Sequence, residues 1–176
     1  MSGPNVLDRL KQKFGEKISG ANFEAIDPWI EVRPESLQEV CRFLKDDAQL
    51  QMNYLNSITA VDWLEIDPKK AAKATFQPHL EVVYHLSSIT KRHSLVVKVM
   101  LARWKNDQPG ELPELPSLNS IWRTADWHER EVFDLFGVSF TGHPNLRRIL
   151  CPEDWVGYPL RKDYEMPLEY HGIRGR

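Results

Sequence analysis

Leu80-Glu81-Val82-Val83-Tyr84-His85-Leu86 and, after a polar break at Thr90-Lys91-Arg92, Leu95-Val96-Val97-Lys98-Val99-Met100-Leu101 decide the fold of this chain. Side chains of a strand alternate between its two faces, so Leu80, Val82, Tyr84 and Leu86 share one face. Leu95, Val97, Val99 and Leu101 do the same on the return. One face of each run is therefore apolar, which sets the register and predicts an antiparallel hairpin at the centre of a sheet.

Leu50 to Leu64, rich in Tyr, Ile, Thr, Val and Trp, reads as a further strand despite imperfect alternation, with Asp67 to Gln77 as a loop before the hairpin. Pro34-Glu35-Ser36 opens a helix through Val40, Cys41 and Leu44 that ends near Asp46-Asp47. Ile18 to Ile26, with Ala21, Phe23 and Ala25 alternating, and Trp29 to Val32 form a strand pair about the Asp27-Pro28 turn. Val6, Leu7, Leu10 and Phe14 fall at helical spacing in a first helix from Pro4, stopped by Gly15. The order α-β-β-α-β-β-β, with hairpins where strands adjoin, predicts an α+β fold: a mainly antiparallel sheet backed by helices. Lys105 to Pro116, with Pro109, Pro113 and Pro116, reads as an extended connector to one more helix and an extended tail. The expected division is an α+β domain at 1–137 and a partner-binding segment at 138–176.

The totals exclude several classes. The chain has 176 residues, and 23 Lys and Arg against 25 Asp and Glu give a net charge of −2, so no overall field favours nucleic acid or an anionic bilayer. No apolar run approaches the roughly 20 residues that cross a bilayer, and the first residues lack the pattern of a signal peptide. Cys41 and Cys151 stand far apart, as expected for reduced thiols and not for an iron-sulfur or zinc ligand set.

The helix before the tail carries the charges. Ser117 or Thr124 can cap it, and Gly137 follows Phe136 where a left-handed residue ends a helix. On a helical wheel Ile121, Trp122, Ala125, Val132, Phe133, Leu135 and Phe136 share one arc, and Glu129 falls inside it. A buried carboxylate needs a cation, hydrogen bonds or a proton. Arg147, Arg148 and Arg161 are the candidate cations, in a structural ion pair that fixes the tail to the helix. Trp127 lies on the polar face beside Arg123, Arg130 and Asp134, as a candidate contact anchor.

Catalytic readings are weaker. His128-Glu129 begins like a zinc-protease helix, but Val132 stands where the second histidine belongs. His79, His85, His93, His128 and His143 have no metal-ligand spacing, Cys151 sits in the acidic sequence Cys-Pro-Glu-Asp, and no glycine-rich phosphate loop occurs. A free-standing enzyme using Glu129 with His128 or His143 as acid and base stays open as a minor reading. From Gly142 onward Pro144, Pro152, Pro159 and Pro167 preclude a sheet or long helix. Leu146, Ile149, Leu150, Trp155, Tyr158, Leu160 and Tyr164 nevertheless give this tail apolar area for a partner's surface, or for its own sheet.

Trp127-His128-Glu129-Arg130-Glu131-Val132-Phe133-Asp134-Leu135-Phe136-Gly137, Phe140-Thr141-Gly142-His143-Pro144-Asn145-Leu146-Arg147-Arg148-Ile149-Leu150 and Trp155-Val156-Gly157-Tyr158-Pro159-Leu160-Arg161-Lys162-Asp163-Tyr164 together resemble the C subunit of NADH-quinone oxidoreductase, the respiratory complex I. The resemblance implies a peripheral-arm component that binds no flavin, iron-sulfur cluster or nucleotide; the flavin and clusters are expected in partner subunits. It implies packing against the quinone-proximal iron-sulfur subunits, with the C-terminal segment over the large D subunit, on the cytoplasmic face of the bacterial inner membrane. Membrane attachment is then through the complex alone. The family's marked residues fall here on Glu129, Arg130, Asp134, Gly137, His143, Pro144, Arg147, Arg148, Pro159, Arg161, Lys162 and Asp163. The expected partner interface comprises Trp127, Arg130, Asp134, His143, Pro144, Leu146, Trp155, Tyr158, Pro159, Leu160, Lys162, Asp163 and Tyr164. Similar subunits occur in membrane-bound hydrogenases and in the photosynthetic relative of complex I, which leaves the electron donor open. Many relatives are fused to the D subunit; ending at Arg176, this chain is expected to stand alone.

Overall fold

The structure, a computed structural model, describes residues 3–175. Helix α1 (Gly3–Phe14) places Val6, Leu10 and Phe14 in the core and stops at Gly15, which has φ +52°. The side chain of Leu7, part of the expected stripe, lies outside what is described. Strand β1 (Ile18–Asn22) is shorter than its alternation suggests. The Asn22 Oδ1 accepts the backbone N–H groups of Glu24 and Ala25, a local turn that competes with the ladder and ends the strand. It pairs antiparallel with β2 (Trp29–Val32).

A single turn at Pro34–Ser36 leads into α2 (Leu37–Asp46), which buries Leu37, Val40, Cys41 and Leu44. Strand β3 (Tyr54–Trp63) follows. The expected loop contains a short helix, α3 (Pro68–Ala71), because Pro68 presets the first helical position and the Asp67 carboxylate accepts the Lys69 N–H at 2.9 Å. Strands β4 (His79–Ser88) and β5 (His93–Leu101) form the hairpin in the expected register, Leu80 opposite Leu101, Val82 opposite Val99, Tyr84 opposite Val97 and Leu86 opposite Leu95. All eight side chains are buried, each worth about 2 kcal/mol in apolar transfer.

The five-stranded sheet runs β1-β2-β5-β4-β3, so the hairpin does supply its centre. Every pairing is antiparallel except β2 with β5, which lie parallel because α2, β3 and β4 intervene in the chain. The proline-rich connector ends in β6 (Glu114–Pro116), which pairs parallel with β7 (Ser139–Thr141) across helix α4 (Ala125–Phe136). The packing does not change at Gly137, where a boundary was expected: Val138 and Phe140 belong to the same core as the sheet. A two-residue hairpin of β8 (Glu169–Tyr170) and β9 (Ile173–Arg174) closes the chain.

Candidate functional site

Helix α4 lays Ala125, Val132 and Phe136 on the sheet, as its apolar arc requires. Neither expected cap serves it: Thr124 makes no side-chain capping bond, and Ser117 lies further back. Ser117 instead donates its hydroxyl to Glu129 Oε2 at 2.6 Å, while the Leu118 N–H donates to Oε1 at 2.6 Å. Glu129 is fully enclosed, as the wheel indicates, but its partners are these two donors and none of Arg147, Arg148 or Arg161. The ion pair expected there is replaced by neutral hydrogen bonds from the segment after β6, and the tail's arginines are engaged elsewhere on α4. The nearest basic group is His143, whose Nε2 stands 3.9 Å from Glu129 Oε2. Burial pushes the Glu129 carboxyl up to about 7 against the lowering by Ser117 and Leu118, with Asp126 adding to the rise.

The tail's cations act on the far side of α4. Asp134 is also fully buried, although the wheel assigns it to the polar face, because the tail covers that face. Its Oδ2 accepts three consecutive backbone N–H groups, from Ile149 at 3.0 Å, Leu150 at 2.7 Å and Cys151 at 2.9 Å. Its Oδ1 accepts Arg148 Nη1 at 2.6 Å, and Arg148 reaches on to the Gly157 carbonyl. Burial alone would raise the Asp134 carboxyl; the N–H groups of Cys151, Leu150 and Ile149 together with Arg148 outweigh it and hold it below the usual carboxylate range. Arg130 is covered too, donating Nε to the Arg147 carbonyl at 3.2 Å and lying 5.0 Å over the Trp127 ring.

Arg161 caps the other end of α4. Its Nε donates to the Phe136 carbonyl at 2.8 Å and its Nη1 to the Arg103 carbonyl at 2.7 Å, and its guanidinium lies 3.6 Å over the Trp104 ring. A cation at the helix C-terminus meets free carbonyls and the negative end of the dipole. Burial and the nearby Arg103 pull Arg161 down to about 10, still well above neutral pH. Gly137 ends α4 at φ +68°, and a Cβ there would stand 2.6 Å from the Tyr158 ring. Gly137→Ala is therefore expected to cost about 2 kcal/mol or more, from left-handed strain plus overpacking, with the loss read by urea denaturation.

A third clamp is built on Asp62 and Arg103, which no sequence motif singles out. Asp62, at the end of β3, receives both Nε and Nη2 of Arg103, at 2.7 and 2.8 Å, and Arg103 simultaneously grips Asp163 at 2.6 and 3.1 Å. The Lys162 N–H also donates to Asp62 at 2.9 Å. One signal for Asp62 is present in the sequence: it follows Ile58 and Ala60 at strand spacing, a carboxylate at an inward position.

Of the expected interface, Trp127, Pro144, Leu160 and Lys162 are exposed, whereas Arg130, Asp134 and the His143 ring are turned inward. Leu146 packs on the core, Trp155 leans on Tyr170 at 5.0 Å, and Tyr164 lies over Gly157. Tyr158 and Pro159 are half-buried, and Asp163 is the outer end of the Arg103 clamp. Among the described residues no group of three or more His, Cys, Asp or Glu is placed to hold a metal.

The geometry defines an α+β domain whose charged motif binds its own C-terminal segment. The family model described as "Respiratory-chain NADH dehydrogenase, 30 Kd subunit" matches residues 30–170, a span that includes all three clamps. The NADH-quinone oxidoreductase C subunit of Roseiflexus castenholzii is 41% identical over 169 residues, covering 96% of this chain and 87% of that protein. The corresponding C subunit of Chloroherpeton thalassium is 38% identical over 94% of this chain but only 62% of its own length, and that of Chlorobium phaeobacteroides 37% identical over 96% and 92%. The structure of the membrane-bound sulfane sulfur reductase, an archaeal respiratory membrane complex, contains a chain alike in fold, with TM-score 0.71 at 24% identity over 94% of this chain and 87% of that one. The chain belongs to the family of the 30 kDa subunit of respiratory-chain NADH dehydrogenase.

Proposed function

We propose that this chain is an assembly component in the peripheral arm of a proton-translocating NADH:quinone oxidoreductase, holding neighbouring subunits in place without carrying electrons itself. The observation that carries this reading is a backbone fixed from inside with apolar side chains left outside. Val156 is 85% exposed on the segment held by Asp134, Arg161 and the Asp62–Arg103 clamp, and Leu168 is 81%, Ile173 74% and Met166 70% exposed just beyond it, where Tyr170 and His171 bond Asp154. A pre-ordered apolar strip has already met the ordering cost that a free tail would meet on binding. The names of the relatives support membership in a multi-subunit oxidoreductase. The large D subunit and the quinone-proximal iron-sulfur subunits are the partners of this reading. Two cysteines cannot supply the four thiolates of an ordinary cluster, which supports placing the clusters in those partners, where this reading places the flavin too.

The site of action is the cytoplasmic face of the bacterial inner membrane, reached through the complex; among the described residues no helix is long and apolar enough to cross a membrane. Removing everything after Phe140 would strip Asp134 of all four of its partners and Asp62 of the Lys162 N–H, so it would test folding as well as docking. The sharper variant carries Val156→Glu and Leu168→Glu, both at exposed positions. It is expected to unfold at the wild-type denaturant concentration and to lose co-purification with the D subunit. Undiminished co-purification would contradict the docking reading.

A further inference from the structure

Glu129 is enclosed on every side and receives two hydrogen bonds, although a carboxylate can accept about four. The titratable groups that face it, among the described residues, are Asp126 from its own helix, His143 from the turn after β7 and Tyr84 from β4, with Cys41 of α2 behind Tyr84. The segment Ser117–Leu118 adds neutral donors only. Among the described residues no guanidinium reaches the cluster, because Arg148 is committed to Asp134 and Arg161 to the end of α4.

The His143 Nδ1 accepts the Asn145 N–H at 3.0 Å, and its Nε2 donates to the Asp126 carbonyl at 3.1 Å and stands 3.2 Å from Asp126 Oδ1. Two further atoms of the cluster, the Tyr84 hydroxyl and Asp126 Oδ1, are buried without a hydrogen-bond partner. An enclosed carboxylate with a second carboxylate beside it and, among the described residues, no guanidinium or ammonium group in contact is costly, and taking up one proton removes the cost.

We propose that this enclosed cluster is a proton-binding site centred on Glu129, and that the bound proton controls how firmly the segments Ser117–Leu118 and Gly142–Asn145 are held against α4. With the proton in place the carboxyl group is neutral and keeps both donors. Its loss sets a full negative charge against Asp126 and the unpartnered Tyr84 hydroxyl, and the enclosure loosens to admit water. The rise of the Glu129 carboxyl to about 7, from burial first and Asp126 last, sets uptake in the neutral range. Because the folded chain holds this proton more tightly than the unfolded chain, the contribution to stability falls as pH rises from the ordinary carboxylate range through about 7.

The test uses the full 176-residue chain carrying 13C at its glutamate carboxyl groups. The Glu129 carboxyl carbon and the Leu118 amide are expected to titrate together near neutral pH. Glu129→Gln, which keeps the shape of the protonated acid, is expected to abolish the Leu118 titration. Relative to that variant, the wild-type folding equilibrium constant is expected to drop on the order of a hundredfold between pH 5 and pH 8. Should Glu129→Gln fail to fold, the carboxyl titration of the wild-type chain decides alone. A Glu129 midpoint in the ordinary carboxylate range, or a Leu118 titration that survives in Glu129→Gln, would overturn the proposal.

Discussion

Asp134→Ala is expected to destabilise the chain by about 3–5 kcal/mol and to free the tail from Arg148 to Gly157. The substitution removes the acceptor of three backbone N–H groups and of the Arg148 guanidinium at once, leaving a charge and several donors unsatisfied beneath the tail. Asp134→Asn keeps the volume but offers one acceptor oxygen instead of two and turns an amine toward donors, so it is expected to recover less than half of the loss. Asp134 is held below its ordinary range in the folded chain, so its contribution is complete above that range and disappears as pH falls through the depressed value. Wild-type chain is expected to lose stability on acidification from pH 5 to pH 3 more steeply than Asp134→Asn. Parallel acid profiles would show that the carboxylate contributes nothing through its charge.

The second large effect is expected at Arg103. Its guanidinium bridges buried Asp62 and the half-exposed Asp163, so Arg103→Ala strands a carboxylate whose side chain is only 1% exposed. The expected cost is again about 3–5 kcal/mol, whereas Asp163→Ala, which removes the outer partner alone, is expected to cost under about 1 kcal/mol. Arg103→Lys keeps the charge but cannot make paired bonds to both carboxylates, so it is expected to fall between the two. Chemical denaturation of the three variants makes the comparison. Equal losses for Arg103→Ala and Asp163→Ala would mean that Asp62 is not held by Arg103 in solution.

The legible parts of the fold are those with a strict period. The alternation from Leu80 to Leu101 determines the central hairpin and its register, and the Gly137 stop and the inward Glu129 follow from the helical pattern. What a wheel does not show is which neighbour each charge meets. Ser117 and Leu118 lie in a proline-bounded stretch without a period, and so does the whole tail. The wheel alone therefore turns Arg130 and Asp134 to solvent, on a face that the tail covers. The parallel pair of β6 and β7 rests on three residues each, too short to leave a pattern, and β1 ends early through a side-chain bond that alternation does not encode. Asp62 is the signal most easily overlooked: a carboxylate at an inward strand position calls for a partner, though the sequence does not say that the partner is Arg103.

Across these elements the charges of the motif serve attachment within the chain, and the apolar side chains beside them remain exposed. Through these contacts the tail is ordered against its own domain before any partner binds. Amide hydrogen exchange of the isolated chain at Ile149, Leu150 and Cys151 tests it most directly, because these three N–H groups depend on the Asp134 carboxylate and on no strand or helix. Protection approaching that of the β4–β5 core is expected, lost selectively in Asp134→Asn. Exchange at the rate of an unstructured peptide in the wild-type chain would contradict this ordering.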